Sequence, residues 1–231
     1  MTEENTNYKR VYVWELPVRF YHWLNAMCVV ILCMTGYLIG NPPVISSARE
    51  AYQQYWFGTV RFIHFVTAFV FFFNFLARIY WGFVGNRYSR WYNFIPYRRS
   101  QFRDLLKVFK VDVFQTDVKG DMHIGHNPLA GITYFMTFLV FLFQTFTGFA
   151  LYSSMSESFF PKLFAWVIPI MGGDFAVRQW HHMLMWFFIV FTIIHVYLVF
   201  YHDYIEGRGT MSSMVGGWKF EKEKYLKKGK E

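Results

Sequence analysis

The chain has 231 residues, a formal net charge of +8, 55% hydrophobic and 23% aromatic residues, with 29 Phe and 9 Trp. That length fits one domain, residues 1–231, and the apolar share falls in long uncharged runs, which excludes a water-soluble globule and points to an all-α integral membrane protein, a four-helix bundle. The positive charge lies between those runs, so membrane topology accounts for it and nucleic acid is excluded as a partner.

Residues 1–15 read as a polar tail with Lys9 and Arg10, and the opening Met1-Thr2-Glu3-Glu4-Asn5 predicts no cleavable signal peptide. Pro17 suits a helix start. The first span is predicted over about 20–39, ended by Asn41-Pro42-Pro43, and it opens Arg19-Phe20-Tyr21-His22-Trp23. The second, about 60–81, opens Arg61-Phe62-Ile63-His64 and carries Arg78 near its far end. In the connection 84–128, Phe102, Leu105, Leu106, Phe109 and Val113 recur at helical spacing between Arg103, Lys107 and Lys110, which predicts an additional amphipathic helix on the cytoplasmic membrane surface. The third span, about 129–151, follows Gly125-His126-Asn127-Pro128. The loop 152–178 has an apolar part broken by Pro161 and Pro169, too short to cross and expected at the interface. The fourth span covers 179–201, and the lysine-rich tail from His202 is expected to be partly disordered at 227–231.

Four spans place both termini on one side. The N-tail carries Lys9, Arg10 and Arg19, the 84–128 loop eight basic residues and the C-tail seven, against one in 40–59 and two in 152–178. The positive-inside rule therefore predicts cytoplasmic termini in a bacterial inner membrane.

The fourth span holds the main chemical signal. Fourteen residues separate His181 from His195; at about 100° each they come to about 1,400°, some 40° short of four turns, so the imidazoles share a face roughly 21 Å apart. His182 is about 140° out of phase with His195 by the same arithmetic. Followed through the alternating spans, His64 and His181 fall near the outer face, and His22 and His195 toward the inner one. Each pair can supply both axial ligands of a haem iron, which predicts two haems stacked across the bundle. No Cys-x-x-Cys-His is present, and Cys28 and Cys33 sit within one span, so the haem is non-covalent b-type. The competing reading is that each histidine simply hydrogen-bonds Ser, Thr or backbone of a neighbouring helix. Arg19, Arg61 and Arg178 each precede a histidine by three residues, one turn nearer water, where a haem propionate needs a cation; interfacial anchoring is the alternative. His182 packs or donates to a propionate, His202 leaves little room for a further haem, His123 is solvated, and His126 lies in the long connection.

With those residues in place, the chain resembles the b-type cytochrome subunit of membrane-bound nickel–iron hydrogenases. The likeness runs from Tyr12 to Phe220 through Pro17-Val18-Arg19-Phe20-Tyr21-His22-Trp23, Arg61-Phe62-Ile63-His64, Gly125-His126-Asn127-Pro128-Leu129-Ala130-Gly131 and Arg178-Gln179-Trp180-His181-His182. The stretch from Tyr201-His202-Asp203-Tyr204 to Val215-Gly216-Gly217-Trp218 is the most particular to that branch. The His-Trp start and the fourteen-residue His pair are shared with formate dehydrogenase gamma subunits. The resemblance implies a four-helix dihaem cytochrome with His22, His64, His181 and His195 as iron ligands. It implies docking of the hydrogenase small and large subunits at the outer face, electrons entering from iron–sulfur centres of the small subunit, and exit to membrane quinone near the inner haem beside Asn127. The hydrogen-activating centre belongs to another chain, so this one is the electron-transfer subunit of a hydrogen:quinone oxidoreductase. Asn127 also fits a plain helix cap ahead of Pro128. Rival readings are a formate dehydrogenase gamma-type subunit, a stand-alone b561-like quinone–haem oxidoreductase and, outside that class, a membrane anchor with incidental histidines.

Overall fold

The computed structural model describes residues 8–43, 55–91 and 128–222. Among them four helices are long and apolar enough to cross a bilayer: α1 (Leu16–Gly40), α2 (Trp56–Val84), α3 (Pro128–Ser153) and, after the short helices α4 (Phe159–Lys162) and α5 (Val167–Ile170), α6 (Asp174–Glu206). A further short helix, α7 (Thr210–Gly216), precedes strand β2 (Trp218–Lys222), which pairs antiparallel with β1 (Tyr8–Tyr12). The fold is an all-α membrane helical bundle with one small terminal sheet. The predicted amphipathic helix at 102–113 lies outside the described residues, as do Asn127 and His126.

Each long helix outruns the hydropathy window that announced it. α6 has 33 residues, about 50 Å at ~1.5 Å per residue, against a hydrocarbon core of about 30 Å. The intrahelical hydrogen bonds continue into the headgroup layers, where apolar side chains are no longer required, so hydropathy marks only the middle of each helix. Inside the spans threonines return their hydroxyl protons to their own helix: Thr35 to the Ile31 carbonyl at 2.7 Å, Thr137 to Thr133 at 2.8 Å, Thr145 to Phe141 at 2.8 Å and Thr192 to Phe188 at 2.7 Å. That disposes of a donor that hydrocarbon could not satisfy.

The chain divides into two compact units. The first comprises 1–22, 77–137 and 196–231. Here the sequence differs from expectation: residues 8–12 and 218–222, read as polar tails, are paired strands, with Tyr8 opposite Lys222 and Tyr12 opposite Trp218. The pairing is held by what flanks it. Gly217, at φ +85, ends α7 in the left-handed conformation that glycine adopts without strain, and its carbonyl accepts from the amides of Val13 at 2.9 Å and Trp14 at 3.1 Å. A Cβ on Gly217 would lie 2.7 Å from the Trp14 carbonyl oxygen. Val13, Trp14 and Val18 form a buried cluster with Val11, Trp81, Tyr88 and Met214 around it. Glu15 caps this core: its Oε2 accepts from the Trp81 indole and the Asn86 amide, both at 2.9 Å. Arg78, 3% exposed on α2, donates to the Ser89 carbonyl at 3.1 Å with its guanidinium 5.2 Å from the Tyr134 ring. Arg208 and Glu221 form a buried ion pair at 2.9 Å.

The second unit comprises 23–76 and 138–195. Its frame is phenylalanine. Phe149 of α3 meets Phe69 at 5.1 Å and Phe72 at 5.4 Å on α2, and Phe160 and Phe164 at 5.1 and 5.2 Å on the 152–178 loop. Phe75 stacks on Phe138 at 4.9 Å, and Phe141 on Phe188 of α6 at 4.9 Å. Offset and edge-on ring pairs of this kind add about 0.5–1.5 kcal/mol each beyond area. The 152–178 loop turns Pro161 and Val167 inward and leaves Phe159 and Ile170 exposed, as an interfacial segment would.

The buried ion pair sets a test of the terminal sheet. Removing one partner leaves a buried charge uncompensated, a cost of about 3–5 kcal/mol, whereas replacing both by apolar residues is near neutral. Arg208→Met alone should abolish amide-exchange protection of residues 8–12 and 218–222, and the Arg208→Met/Glu221→Leu double variant should restore it. Hydrogen exchange read by mass spectrometry in lipid nanodiscs distinguishes the two.

Candidate functional site

The second unit carries two of the sequence-selected histidines, each near the start of its helix. His64 is eight residues into α2 and His181 seven into α6, about 12 and about 10 Å along their helices. Each ring is engaged at Nδ1 by a threonine of another helix: Thr35 Oγ1 of α1 lies 2.8 Å from His64 Nδ1, and Thr147 Oγ1 of α3 lies 2.9 Å from His181 Nδ1. The direction of these bonds follows from the hydroxyl protons. Thr35 Oγ1 is 2.7 Å from the Ile31 carbonyl, and Thr147 Oγ1 is 3.0 Å from the Phe143 carbonyl, one helical turn back in both cases. With its proton given to that carbonyl, each hydroxyl oxygen accepts, and the imidazole donates from Nδ1–H. The Nε2 lone pair of each ring is thereby left as the metal-binding nitrogen.

Gln144 agrees with this tautomer. Its amide nitrogen donates to the His181 carbonyl at 3.2 Å and lies 3.4 Å from His181 Nε2, which must therefore be the acceptor. The Gln144 Oε1 is buried and accepts no hydrogen bond among the described residues. The same lone pair on Nε2 would serve iron.

Close packing on the rings is made possible by glycine. A Cβ at Gly148 would come 3.0 Å from His181 Cε1, and one at Gly36 3.4 Å from His64 Cε1 and 3.6 Å from the Met185 sulfur. These glycines directly follow the bonding threonines, in Thr35-Gly36 on α1 and Thr147-Gly148 on α3. Neither hydropathy nor histidine spacing marks either dipeptide. Their repetition inside two spans was the available signal: a hydroxyl to hold a ring and, beside it, no side chain to obstruct it.

His182, adjacent to His181, points elsewhere. Its ring lies against Gly40 at the end of α1, where a Cβ would come within 2.6 Å of Nδ1, and one turn on Trp186 meets Tyr37 edge-on at 6.1 Å. His195 lies further along α6, its ring parallel to that of Phe191 at 5.6 Å and 15°. His22 belongs to the first unit, six residues into α1, about 9 Å from its start. Of the arginines, Arg61 and Arg178 are exposed, with the Arg61 guanidinium 4.6 Å from the Phe57 ring. Arg19 donates to the Val215 carbonyl of α7.

The donor set fits a haem. Among the described residues no three His, Cys, Asp or Glu side chains converge on one point as a bare ion would need, whereas a porphyrin brings four nitrogens and asks the protein only for axial ligands. Two imidazoles whose Nδ1–H is engaged by threonine, leaving the Nε2 lone pair as the acceptor side, answer that requirement.

Comparison with known proteins agrees. Residues 13–217 match the family described as "Prokaryotic cytochrome b561". Several relatives carry B-type cytochrome names. The chain is 41% identical over 212 residues, 90% of its length and 85% of the relative's, to a "Probable Ni/Fe-hydrogenase B-type cytochrome subunit" of Bradyrhizobium diazoefficiens. It is 37% identical over 219 residues, 93% and 89% of the two chains, to the protein of that name from Cupriavidus necator. It is 36% identical over 227 residues, 96% of each, to the "Probable Ni/Fe-hydrogenase 1 B-type cytochrome subunit" of Escherichia coli K12. A match over most of the chain and relatives aligned nearly end to end, for a chain folded as a multi-pass helical bundle, lead to one statement: the chain belongs to the prokaryotic cytochrome b561 family.

Proposed function

We propose that this protein is the haem b electron carrier that joins a nickel–iron hydrogenase to membrane quinone. Its relatives' names supply the hydrogenase; the observation that carries the haem reading is the pair of threonine-held imidazoles, His64 with Thr35 and His181 with Thr147. Haem b, when bound, supplies reversible one-electron chemistry at iron. The chain's own contribution is to fix where that happens. His64 and His181 are the ligands of the outer haem, and His22 and His195 those of the inner one. Arg61 and Arg178, exposed one turn outward from His64 and His181, serve the outer propionates, and Arg19 stands one turn from His22.

Direction follows from charge. With the termini and the basic 84–128 connection cytoplasmic, the outer loops are the docking side for the hydrogenase small subunit, and the large subunit acts through it. The inner haem is then the exit. Quinone reduction consumes protons with electrons, and Asn127, which directly precedes α3 in the sequence, can donate its amide to a quinone oxygen.

Purified protein should return two haems per polypeptide by pyridine haemochrome. His181→Ala should remove the outer haem and end hydrogen-dependent reduction, while His182→Ala keeps both haems. One haem in the wild type, or haem loss from the second variant alone, would sink this assignment.

Thr147→Val removes the acceptor for His181 Nδ1–H and leaves a buried donor unpaired. Loss of such an outer partner weakens metal sites roughly 10- to 100-fold, so haem affinity at the outer site should fall by that order. The midpoint potential of that haem should rise, because an imidazole that no longer donates is a poorer electron donor to ferric iron. Thr147→Ser should restore both; a valine variant with unaltered affinity and potential would show the hydroxyl to be packing only.

Asn127→Leu should retain both haem spectra and hydrogen-dependent haem reduction, and slow reoxidation by a quinone analogue. Unchanged turnover in a stable variant would return Asn127 to a helix cap.

A further inference from the structure

The β1–β2 sheet has its polarity inside out. Register places Tyr8, Arg10 and Tyr12 of β1 on one face with Phe220 and Trp218 of β2, and Lys9 and Val11 on the other with Glu221 and Lys219. On the second face Glu221 is 1% and Lys219 8% exposed, Glu221 paired with Arg208 and Val11 packed on the Val13–Trp14–Val18 cluster, while Lys9 is exposed. The aromatic face is open, with Tyr8 50%, Tyr12 38%, Trp218 36% and Phe220 46% exposed. A small sheet surrounded by water turns its apolar face inward and its charges out. This one does the reverse, as a surface does when its surroundings are partly apolar.

Its position says what those surroundings are. Only residues 13–15 separate β1 from α1, about 10 Å of extended chain, which confines the sheet to the border of the first span. Tyrosine and tryptophan favour that layer, where an amphipathic ring meets both hydrocarbon and headgroup. The charge is complementary to phosphate. Arg10 lies on the aromatic face with its guanidinium 4.2 Å from the Trp218 ring, and Lys9, Arg87 and Arg90 are exposed in the same unit. Among the described residues, three of the unit's carboxylates are engaged internally: Glu15 with Trp81 and Asn86, Glu221 with Arg208, and Asp203 with the Met211 amide at 3.2 Å. α7 extends the surface, with Met211 and Val215 exposed one turn apart.

We infer that the Tyr8–Arg10–Tyr12–Trp218–Phe220 face of the terminal sheet is a lipid-binding surface, seated in the headgroup layer of the bilayer and holding anionic phospholipid phosphate through Arg10. The sheet is thus a membrane-bound element and not a free cytoplasmic tail. A soluble protein partner is the rival occupant, and a purified chain in nanodiscs contains none.

Hydroxyl-radical footprinting of the full haem-loaded chain in nanodiscs reads these aromatic side chains directly. Tyr8, Tyr12, Trp218 and Phe220 should be oxidised several-fold more slowly than their exposure would give in water. The protection should be greater in phosphatidylglycerol bilayers than in phosphatidylcholine alone, and Arg10→Glu should erase that difference while the visible spectrum stays intact. Oxidation at the rate of water-exposed rings in both lipids would overturn the inference and leave the face to a protein partner. Equal protection in the two lipids would overturn the anionic phosphate contact.

Discussion

A neutral imidazole carried into a bilayer keeps one N–H that must find an acceptor, because an unsatisfied polar group in hydrocarbon costs several kcal/mol. Most of the site follows from how this chain meets that demand. A threonine whose own proton is already spent on its helix backbone is one of the few side chains that can sit in a span and only accept. Thr35 and Thr147 do so at 2.8 and 2.9 Å. Each bond couples two helices, α1 to α2 and α3 to α6, and in satisfying a donor it also selects the nitrogen left for metal. Stability and chemistry rest on the same contact.

That contact works only if the helices keep their spacing. Between membrane helices there is little hydrophobic driving force, since lipid is as apolar as the side chains, so shape fit decides the packing. The second unit uses rings for that fit. Phe69 and Phe72 close on Phe149, and Phe75 and Phe141 on Phe138 and Phe188. Rigid planar groups with only two side-chain torsions lose little freedom on packing and tolerate little sliding. Glycine supplies the opposite quality where the imidazoles need room, at Gly36 and Gly148.

The spans were legible because each is longer than a bilayer and almost free of charge. The similar positions of His64 and His181 near the starts of α2 and α6 were legible because position along alternating spans is a counting problem. The threonine partners were not: Thr35 is 29 residues from His64 and Thr147 34 from His181, and no periodicity links positions on different helices. The terminal strands were missed for a related reason. Tyr8–Tyr12 and Trp218–Lys222 are five residues each, carry two and three charged residues, and lie at opposite ends of the chain; neither has the turn or the apolar alternation that identifies a hairpin from sequence. Their buried charges, Lys219 and Glu221, argue for a solvated tail until Arg208 is seen beside them.

The segment from Gly207 to Trp218 gains its meaning in the first unit. Gly209 at φ +72 and Gly217 at φ +85 bracket α7 with conformations that other residues adopt at a cost. The Gly217 carbonyl binds the chain just ahead of α1, at Val13 and Trp14, and the Val215 carbonyl accepts from Arg19, one turn before His22. Residues that follow the last span therefore anchor the first turns of the first one. A substitution in α7 or its glycines acts across the 196 residues that separate Arg19 from Val215, yet it bears on the turn of α1 that carries His22. The motif is a backbone clamp, and its sequence is constrained by carbonyl direction and left-handed turns more than by any side-chain chemistry.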